Sequence, residues 1–185
     1  MTTTVQPRVY VACLAAYNNG HLHGAWIDAD QDTDDLWTAI NAVLKSSPIP
    51  GAEEWAVHDH EYMGNLGEFP GVEKISEVGQ AVAEHGEAYL AWLTISDDGE
   101  DVGDFQDQFV GTADSEREYA ESYVDECGLA GIAPGVYEMK DDWTGRSKIN
   151  VLEALESYID WDKVAREMFD HGPYALVNGY VFRTW

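Results

Sequence analysis

The sequence predicts an α+β fold made of three small subdomains. Short β-rich runs beside turn-forming residues stand near both ends of the chain, and apolar residues at helical spacing fill much of the part between them. The 185 residues are 45% hydrophobic, which is too rich for a disordered acidic chain. We place the subdomain boundaries so that the three parts span residues 1–62, 63–107 and 108–185.

The first subdomain is predicted to open with a tight β-hairpin. The β-rich runs Val9–Leu14 and His21–Ile27 flank Asn18-Asn19-Gly20. Asn and Gly tolerate the positive φ that a short hairpin turn requires, so these three residues are expected to form the turn.

A helix and a third strand complete this subdomain. Apolar residues at helical spacing predict a helix through residues 33–47, with Asp32 or Thr33 as its N-cap. After this helix, a pattern in which alternate residues from Trp55 onward share one face predicts a strand. The first subdomain is therefore a β-β-α-β unit.

The middle subdomain is predicted to be helical. A first helix over residues 72–85 is expected to end at Gly86, and a second is expected over residues 87–95. A third helix is predicted through the acidic segment that follows, with its carboxylates on one face and Val102, Phe105 and Phe109 on the other.

The last subdomain is predicted to mix helices with a closing hairpin. One helix is expected over residues 114–127, with Asp114 or Ser115 as its cap. Two more helical segments are expected over 148–159 and 161–172, and the chain should close as a hairpin around Asn178-Gly179.

Charge is the most unusual property of this chain. Its 35 acidic and 10 basic residues give a formal net charge of −25 and a pI of about 4.2. Such a charge disfavours direct binding to nucleic acid or to an anionic membrane, and it favours a strongly basic partner or a cation. The N-terminus has no signal-peptide pattern, so the cytoplasm is the expected compartment.

A calcium loop of the EF-hand type does not fit the acidic segment. If Gly103 takes the sixth position of such a loop, Val102 falls at the fifth and Phe109 at the twelfth, where oxygen ligands are required. The other alignment, on Gly99, places Thr94 at the first position. We therefore expect no dedicated calcium site.

Histidine pairs leave a second interpretation open. His21 and His23 form one pair and His58 and His60 form another, and the four would converge if their strands were neighbours. The alternative function is thus a small acidic metal-binding protein or hydrolase that uses this cluster.

Motifs for other chemistry are absent from the sequence. It contains no GxSxG elbow, no phosphate-binding loop and no GxGxxG after a strand. We expect no catalytic residue, no bound metal and no cofactor. Trp26, Trp37 and Trp55 fall at periodic positions, so packing in the core is expected for them.

The acids between residues 97 and 126 suggest mimicry of another polyanion. This segment holds twelve acids and a single base, Arg117, and we expect the acids to lie unpaired on ordered helices. B-DNA carries one charge per about 1.7 Å, so the net charge of the chain matches about 40 Å of duplex. The candidate phosphate-like residues are Asp97, Asp98, Glu100, Asp101, Asp104, Asp107, Asp114, Glu116, Glu118, Glu121, Asp125 and Glu126.

Five stretches resemble the ArdA antirestriction proteins, and they follow the family's order across nearly the whole chain. The first is the most specific, because it combines Tyr17-Asn18 with Gly24-x-Trp26. One position departs, since the family more often has an aromatic residue where His60 stands. The stretches are VYVACLAAYNNGHLHGAWID, EEWAVHDHE, YAESYVDECG, YIDWDKVAREM and YVFRTW.

This resemblance implies a specific function. ArdA proteins are DNA mimics, and the likeness implies an elongated, curved homodimer with three small domains in each chain. It implies that the chain occupies the DNA-binding groove of a type I restriction–modification enzyme, inhibits restriction and often modification, and has neither catalytic residues nor a cofactor. Further acids expected to contribute to the anionic surface are Asp28, Asp30, Asp141, Asp142, Glu153, Glu156, Asp160 and Asp162.

Overall fold

The structure, a computed structural model, describes residues 5–96, 101–127 and 158–184. Within these ranges the chain combines helices with two antiparallel sheets of three strands each, which confirms the α+β class. The helices are α1 Leu14–Asn18, α2 Thr33–Lys45, α3 Val72–His85, α4 Glu87–Trp92, α5 Val102–Gln108, α6 Glu116–Cys127 and α7 Trp161–Phe169. The strands are β1 Arg8–Cys13, β2 Gly24–Asp28, β3 Trp55–Glu61, β4 Phe109–Thr112, β5 Tyr174–Val177 and β6 Tyr180–Arg183.

The first sheet has the order β2-β1-β3, so β1 lies in the centre. Both pairings are antiparallel, and Val9 stands opposite Ile27 on one side and His60 on the other. One face of the sheet packs against α2, because the inward residues of the strands and the Leu36–Ile40 side of that helix are apolar and buried.

The tight turn predicted between the first two strands was wrong, although their antiparallel pairing is confirmed. The Asn-Gly stretch ends the short helix α1 instead. Gly20 has a φ of +79° and donates from its N–H to the carbonyl of Tyr17 at 2.9 Å, while the N–H of His21 reaches the carbonyl of Ala16 at 3.0 Å. This pair of bonds is a Schellman motif, in which a residue with positive φ follows a helix.

Helix α2 and strand β3 lie where the sequence predicts them. The side chain of Asp32 accepts a hydrogen bond from the N–H of Asp35 at 2.9 Å, so Asp32 is the N-cap. Asp34 and Asp35 stand in the first turn of α2, where negative charge interacts favourably with the helix dipole.

Helix α3 ends at Gly86, as predicted, and it packs closely against the turn after β2. Gly79 leaves no room for a Cβ atom, because one would overlap the backbone of Ala29. The side chains of Ser76 and Gln80 donate to the carbonyl of Gln31 at 2.7 and 2.9 Å. Helix α4 is shorter than predicted, since turns replace it after Trp92.

The acidic segment is helical over a shorter range than predicted. Helix α5 begins at Val102, and Asp97, Asp98 and Glu100 lie outside the described residues. Placing Phe109 on the apolar face of this helix was wrong, because Phe109 begins strand β4 and pairs with Phe182 of β6.

The second sheet has the order β4-β6-β5. Strands β5 and β6 form the predicted hairpin, whose turn residues Asn178 and Gly179 have φ values of +51° and +85°. Positive φ at both central residues is the geometry of a type I′ turn. Strand β4 was not predicted.

Helices α6 and α7 pack against each other beside the second sheet. Tyr119 and Tyr123 lie on one face of α6, as predicted, and the ring of Tyr119 stands 5.7 Å from Phe169 and 5.3 Å from Tyr174. Both α6 and α7 were predicted. The helix predicted over 148–159 falls almost entirely outside the described residues.

The chain divides into two compact units, residues 1–106 and 107–185. The boundaries of the three-subdomain division stay a prediction. None of the helices in the described ranges is both long enough and apolar enough to cross a bilayer.

Candidate functional site

The candidate site is the acidic surface of the chain. Every Asp and Glu side chain in the described ranges lies at the molecular surface. Each of these side chains is exposed or half-buried, and none belongs to a core. A carboxylate at the surface can meet an external cation without the large desolvation cost that an unpaired buried charge carries. The charge is therefore presented to solvent by both folded units.

The first unit is the more strongly anionic of the two. Residues 1–106 contain 19 acids and 3 bases, while residues 107–185 contain 16 acids and 7 bases. Two of the three bases in the first unit are already in ion pairs, Arg8 with Glu61 at 2.8 Å and Lys74 with Glu77 at 3.6 Å. The hydrogen bond that the Arg8 guanidinium donates to Glu61 lowers the pKa of the Glu61 carboxyl.

Asp101 and Asp104 cap the start of α5 for each other. Asp101 Oδ1 accepts from the N–H of Gly103 at 2.7 Å and of Asp104 at 3.3 Å, and Asp104 Oδ2 accepts from the N–H of Asp101 at 2.7 Å. Negative charge is favourable at a helix N-terminus. The carboxylates of Asp101 and Asp104 thus stabilise the first turn of α5, while both side chains remain exposed.

Phe105 anchors this acidic helix to the first unit. Its side chain is 2% exposed and lies among His85, Tyr89 and Trp92, with ring centroids 4.8, 5.2 and 5.8 Å away. Asp101 and Asp104 are exposed, so the predicted division into a buried apolar face and an acidic face is confirmed for these residues. Burial raises the pKa of the Tyr89 hydroxyl to about 12.

Two acids of α6 make hydrogen bonds within the chain, which the sequence did not lead us to expect. Ser115 Oγ accepts from the N–H of Glu118 at 3.1 Å, and Glu118 Oε2 accepts from the N–H of Asp114 at 2.6 Å. This is a variant of the capping box, because the return bond goes to the residue before the N-cap. The expectation that the acids are unpaired was wrong for Glu121, because Arg117 donates to it at 2.7 Å.

Arg117 also approaches Asp162 of α7, with Nη1 3.5 Å from Oδ1. Its hydrogen bond to Glu121 raises the pKa of the guanidinium. Asp107, Asp125 and Glu126, by contrast, are exposed and make no hydrogen bond or ion pair with any residue in the described ranges. Among the predicted site residues that the structure describes, these three are the most available to a partner.

The sequence profile of the ArdA antirestriction proteins matches residues 9–182. The chain belongs to the ArdA antirestriction family. No protein with curated annotation matches it significantly. Membership makes the chain an antirestriction protein, and it implies an interaction with restriction enzymes.

The four histidines of this ArdA chain do not converge. Strands β2 and β3 lie on opposite sides of β1, and His21 and His23 precede β2. The Nε2 atom of His23 lies 2.9 Å from the carbonyl oxygen of Val43, and the ring of His58 meets Tyr17 edge-on. The predicted alternative of a His cluster was therefore wrong, and the described residues hold no group of three metal-ligating side chains.

Two of the tryptophans also depart from the prediction that they pack in the core. Trp26 is 39% and Trp37 is 42% exposed. The guanidinium carbon of Arg8 lies 4.9 Å from the ring centroid of Trp26, and Trp37 meets Trp55 edge-on at 6.2 Å. The outer surface of the first unit is thus aromatic as well as acidic.

A cleft of about 550 Å³ lies beside β3 in the first unit, and it was not predicted from the sequence. Strand β3 bulges there, because Val57 pairs with Val11 whereas Asp59 pairs with Tyr10, which leaves His58 as an extra residue. The loop after β3 returns along it, and the N–H of Val57 donates to the carbonyl of Glu68 at 3.0 Å. Only the pairing with β1 reveals this bulge.

Proposed function

We propose that this chain is a DNA mimic that occupies the DNA-binding groove of a type I restriction–modification enzyme. It inhibits restriction by competing with DNA, and it blocks modification where the same groove serves both reactions. The observation that carries the proposal is the placement of every described acid at the surface of ordered units, in a chain of an antirestriction family.

The physical basis is an exchange of anions within a basic groove. Lys and Arg side chains that bind DNA phosphates can bind carboxylates instead, with comparable charge-assisted hydrogen bonds. The net charge of −25 equals that of about a dozen base pairs, and a homodimer doubles it. The binding free energy is spread over many contacts, without catalysis, cofactor or metal.

The contact surface includes the acids of the segment from residue 97 to residue 126. Asp107, Asp125 and Glu126 contribute most among the described ones, since they have no internal partner there. Glu118 and Glu121 contribute less, because the backbone and Arg117 already engage their carboxylates. The other members of the surface are Asp97, Asp98, Glu100, Asp101, Asp104, Asp114 and Glu116.

A competition experiment tests this function. A fluorescent duplex with the recognition sequence is bound to a purified type I methyltransferase core, and the chain is added while anisotropy is followed. We expect complete displacement at a stoichiometric ratio, with no cleavage or modification of the duplex by the chain itself. Persistence of the DNA complex at saturating concentrations of the chain would contradict the proposal.

Variants separate charge from shape in the same assay. The neutral triple Asp107→Asn, Asp125→Asn, Glu126→Gln should raise the inhibitory concentration several-fold, because it removes three negative charges from the contact surface. The matched control Asp107→Glu, Asp125→Glu, Glu126→Asp keeps the charge and should stay within about twofold of the parent chain. Equal weakening by both triples would argue against a charge-based mechanism.

A further inference from the structure

The cleft beside β3 combines features that the diffuse acidic surface lacks. It is concave, and its lining includes an aromatic ring, two imidazoles, two carboxylates and an amide: Tyr17, His58, His60, Asp59, Glu68 and Asn65. Tyr17 is 53% exposed, and its ring is held edge-on against His58 at 4.9 Å. An exposed ring fixed in position loses little conformational freedom when a ligand packs on it.

Neither carboxylate of the cleft forms an ion pair with a residue in the described ranges. Asp59 Oδ1 accepts only from the N–H of the next residue, at 2.8 Å, and Glu68 makes no side-chain hydrogen bond or ion pair within the described ranges. Of the three bases in the first unit, Arg8 and Lys74 are engaged with Glu61 and Glu77. The carboxylates of Asp59 and Glu68 therefore carry negative charge that no Lys or Arg of the described residues pairs with.

We propose that this cleft binds an arginine side chain of the protein partner. A guanidinium suits it better than an ammonium does, because its planar face stacks on an aromatic ring while its N–H groups fan out toward carboxylates and amides. The same unit already shows this chemistry internally, since Arg8 lies over Trp26 at 4.9 Å and bonds to Glu61 at 2.8 Å.

The cleft gives the interface one discrete contact within an otherwise distributed charge surface. A few well-packed residues, among which Trp, Tyr and Arg are enriched, carry most of the binding energy of many protein interfaces, whereas exposed charges around them contribute little individually. Identifying the partner as the groove of a restriction enzyme rests on the proposed function. The preference for a guanidinium does not.

A titration with a small probe tests the cleft alone. N-acetyl-arginine amide is added to the ¹⁵N-labelled chain, and amide shifts are followed by NMR. We expect shifts concentrated at Tyr17, His58 and Glu68, with the lysine analogue giving smaller ones at the same concentration. Shifts spread evenly over all exposed acids, or equal responses to the two probes, would overturn the proposal.

Paired variants test the same cleft in the complex. Glu68→Gln should raise the Kd for the methyltransferase core roughly tenfold, because the bound guanidinium then loses a charged acceptor. The control Glu53→Gln removes a charge that is also exposed but lies outside the cleft, and it should change the Kd by less than about twofold.

The two proposals fail in distinguishable ways. Tight binding of the parent chain with equal effects of Glu68→Gln and Glu53→Gln would overturn the arginine cleft and leave the proposed function standing. Absence of any binding to the core would overturn the proposed function, and the titration with the arginine amide would still decide whether the cleft takes a guanidinium.

Discussion

At the scale of single residues, Tyr89 carries its hydroxyl into the core of the first unit without a described hydrogen-bond partner. The side chain is fully buried, and its ring packs against Trp92 and Phe105. A buried hydroxyl without a partner costs free energy of order 1 kcal/mol or more relative to a bonded one. Tyr89 therefore contributes to stability through its ring, while its hydroxyl opposes folding.

Replacing Tyr89 with Phe should preserve or raise stability. At pH 7 the free energy of unfolding should stay equal or rise by about 1 kcal/mol, because the unpaired hydroxyl is removed and the ring is kept. The matched control Tyr119→Phe should lower it, since the Tyr119 hydroxyl bonds to Tyr174. Urea unfolding followed by near-ultraviolet circular dichroism measures both, and a clear loss in Tyr89→Phe would show that the hydroxyl has a partner.

The free energy of unfolding at alkaline pH provides a second test of Tyr89. Burial raises the pKa of Tyr89 from 10 to about 12 in the folded chain, so the folded state keeps a proton that the unfolded state loses. Stability is therefore unaffected by this group below pH 10 and falls as the pH rises from 10 toward 12. Tyr89→Phe should lose less stability than the parent chain between pH 9 and pH 11, and an equal loss would contradict the assigned pKa.

At the scale of elements, acids in this chain serve both as helix caps and as surface charge. Asp32 caps α2, Asp101 and Asp104 cap α5, and Glu118 completes the capping box of α6. Each cap stabilises a helix that then presents further acids to solvent. The acidic composition is therefore partly structural.

Two substitutions at the start of α6 can separate the effect of the helix cap from the effect of the negative charge. Ser115→Ala should destabilise the start of the helix by about 1 kcal/mol, because the N–H of Glu118 loses its acceptor. Glu118→Gln keeps a side-chain acceptor for the N–H of Asp114 and should leave the helix intact. Amide hydrogen exchange at Glu118 should accelerate in the first variant and stay unchanged in the second; faster exchange in neither would contradict the cap.

Local signals explain which elements the sequence predicts. The cap at Asp32, the glycine at position 86 and the Asn178-Gly179 turn mark α2, α3 and the closing hairpin, because each acts on neighbouring residues only. Strand β4 escaped prediction because it pairs with β6, about 70 residues away in the chain. Helix α1 escaped because an Asn-Gly stretch fits a hairpin turn and a helix end equally well.

The candidate site, like the fold, has one part that the sequence predicts and one part that it does not. Its acidity is visible in composition, and the i,i+4 spacing of Arg117 and Glu121 already permits the pair that the structure contains. The cleft is different, because it needs the bulge at His58 and the returning backbone at Glu68, which both depend on long-range pairing. Charge could thus be predicted from the sequence, whereas concave shape could not.

At the scale of the whole molecule, the same charge acts on folding and on binding with opposite signs. A net charge of −25 repels itself in the free chain, so added salt should stabilise the fold by screening. In the proposed complex the carboxylates meet a basic groove, and salt should weaken that attraction. Opposite salt dependences of stability and affinity are therefore characteristic of a folded polyanion that mimics DNA.

The salt dependence of the affinity for a type I methyltransferase core tests this account most directly. The Kd of the purified chain is measured by calorimetry between about 50 mM and about 200 mM salt, the range in which protein–DNA complexes weaken steeply. We predict that the Kd rises roughly tenfold or more across this range, in parallel with that of the DNA duplex. A Kd that stays flat while the DNA complex weakens would contradict electrostatic mimicry.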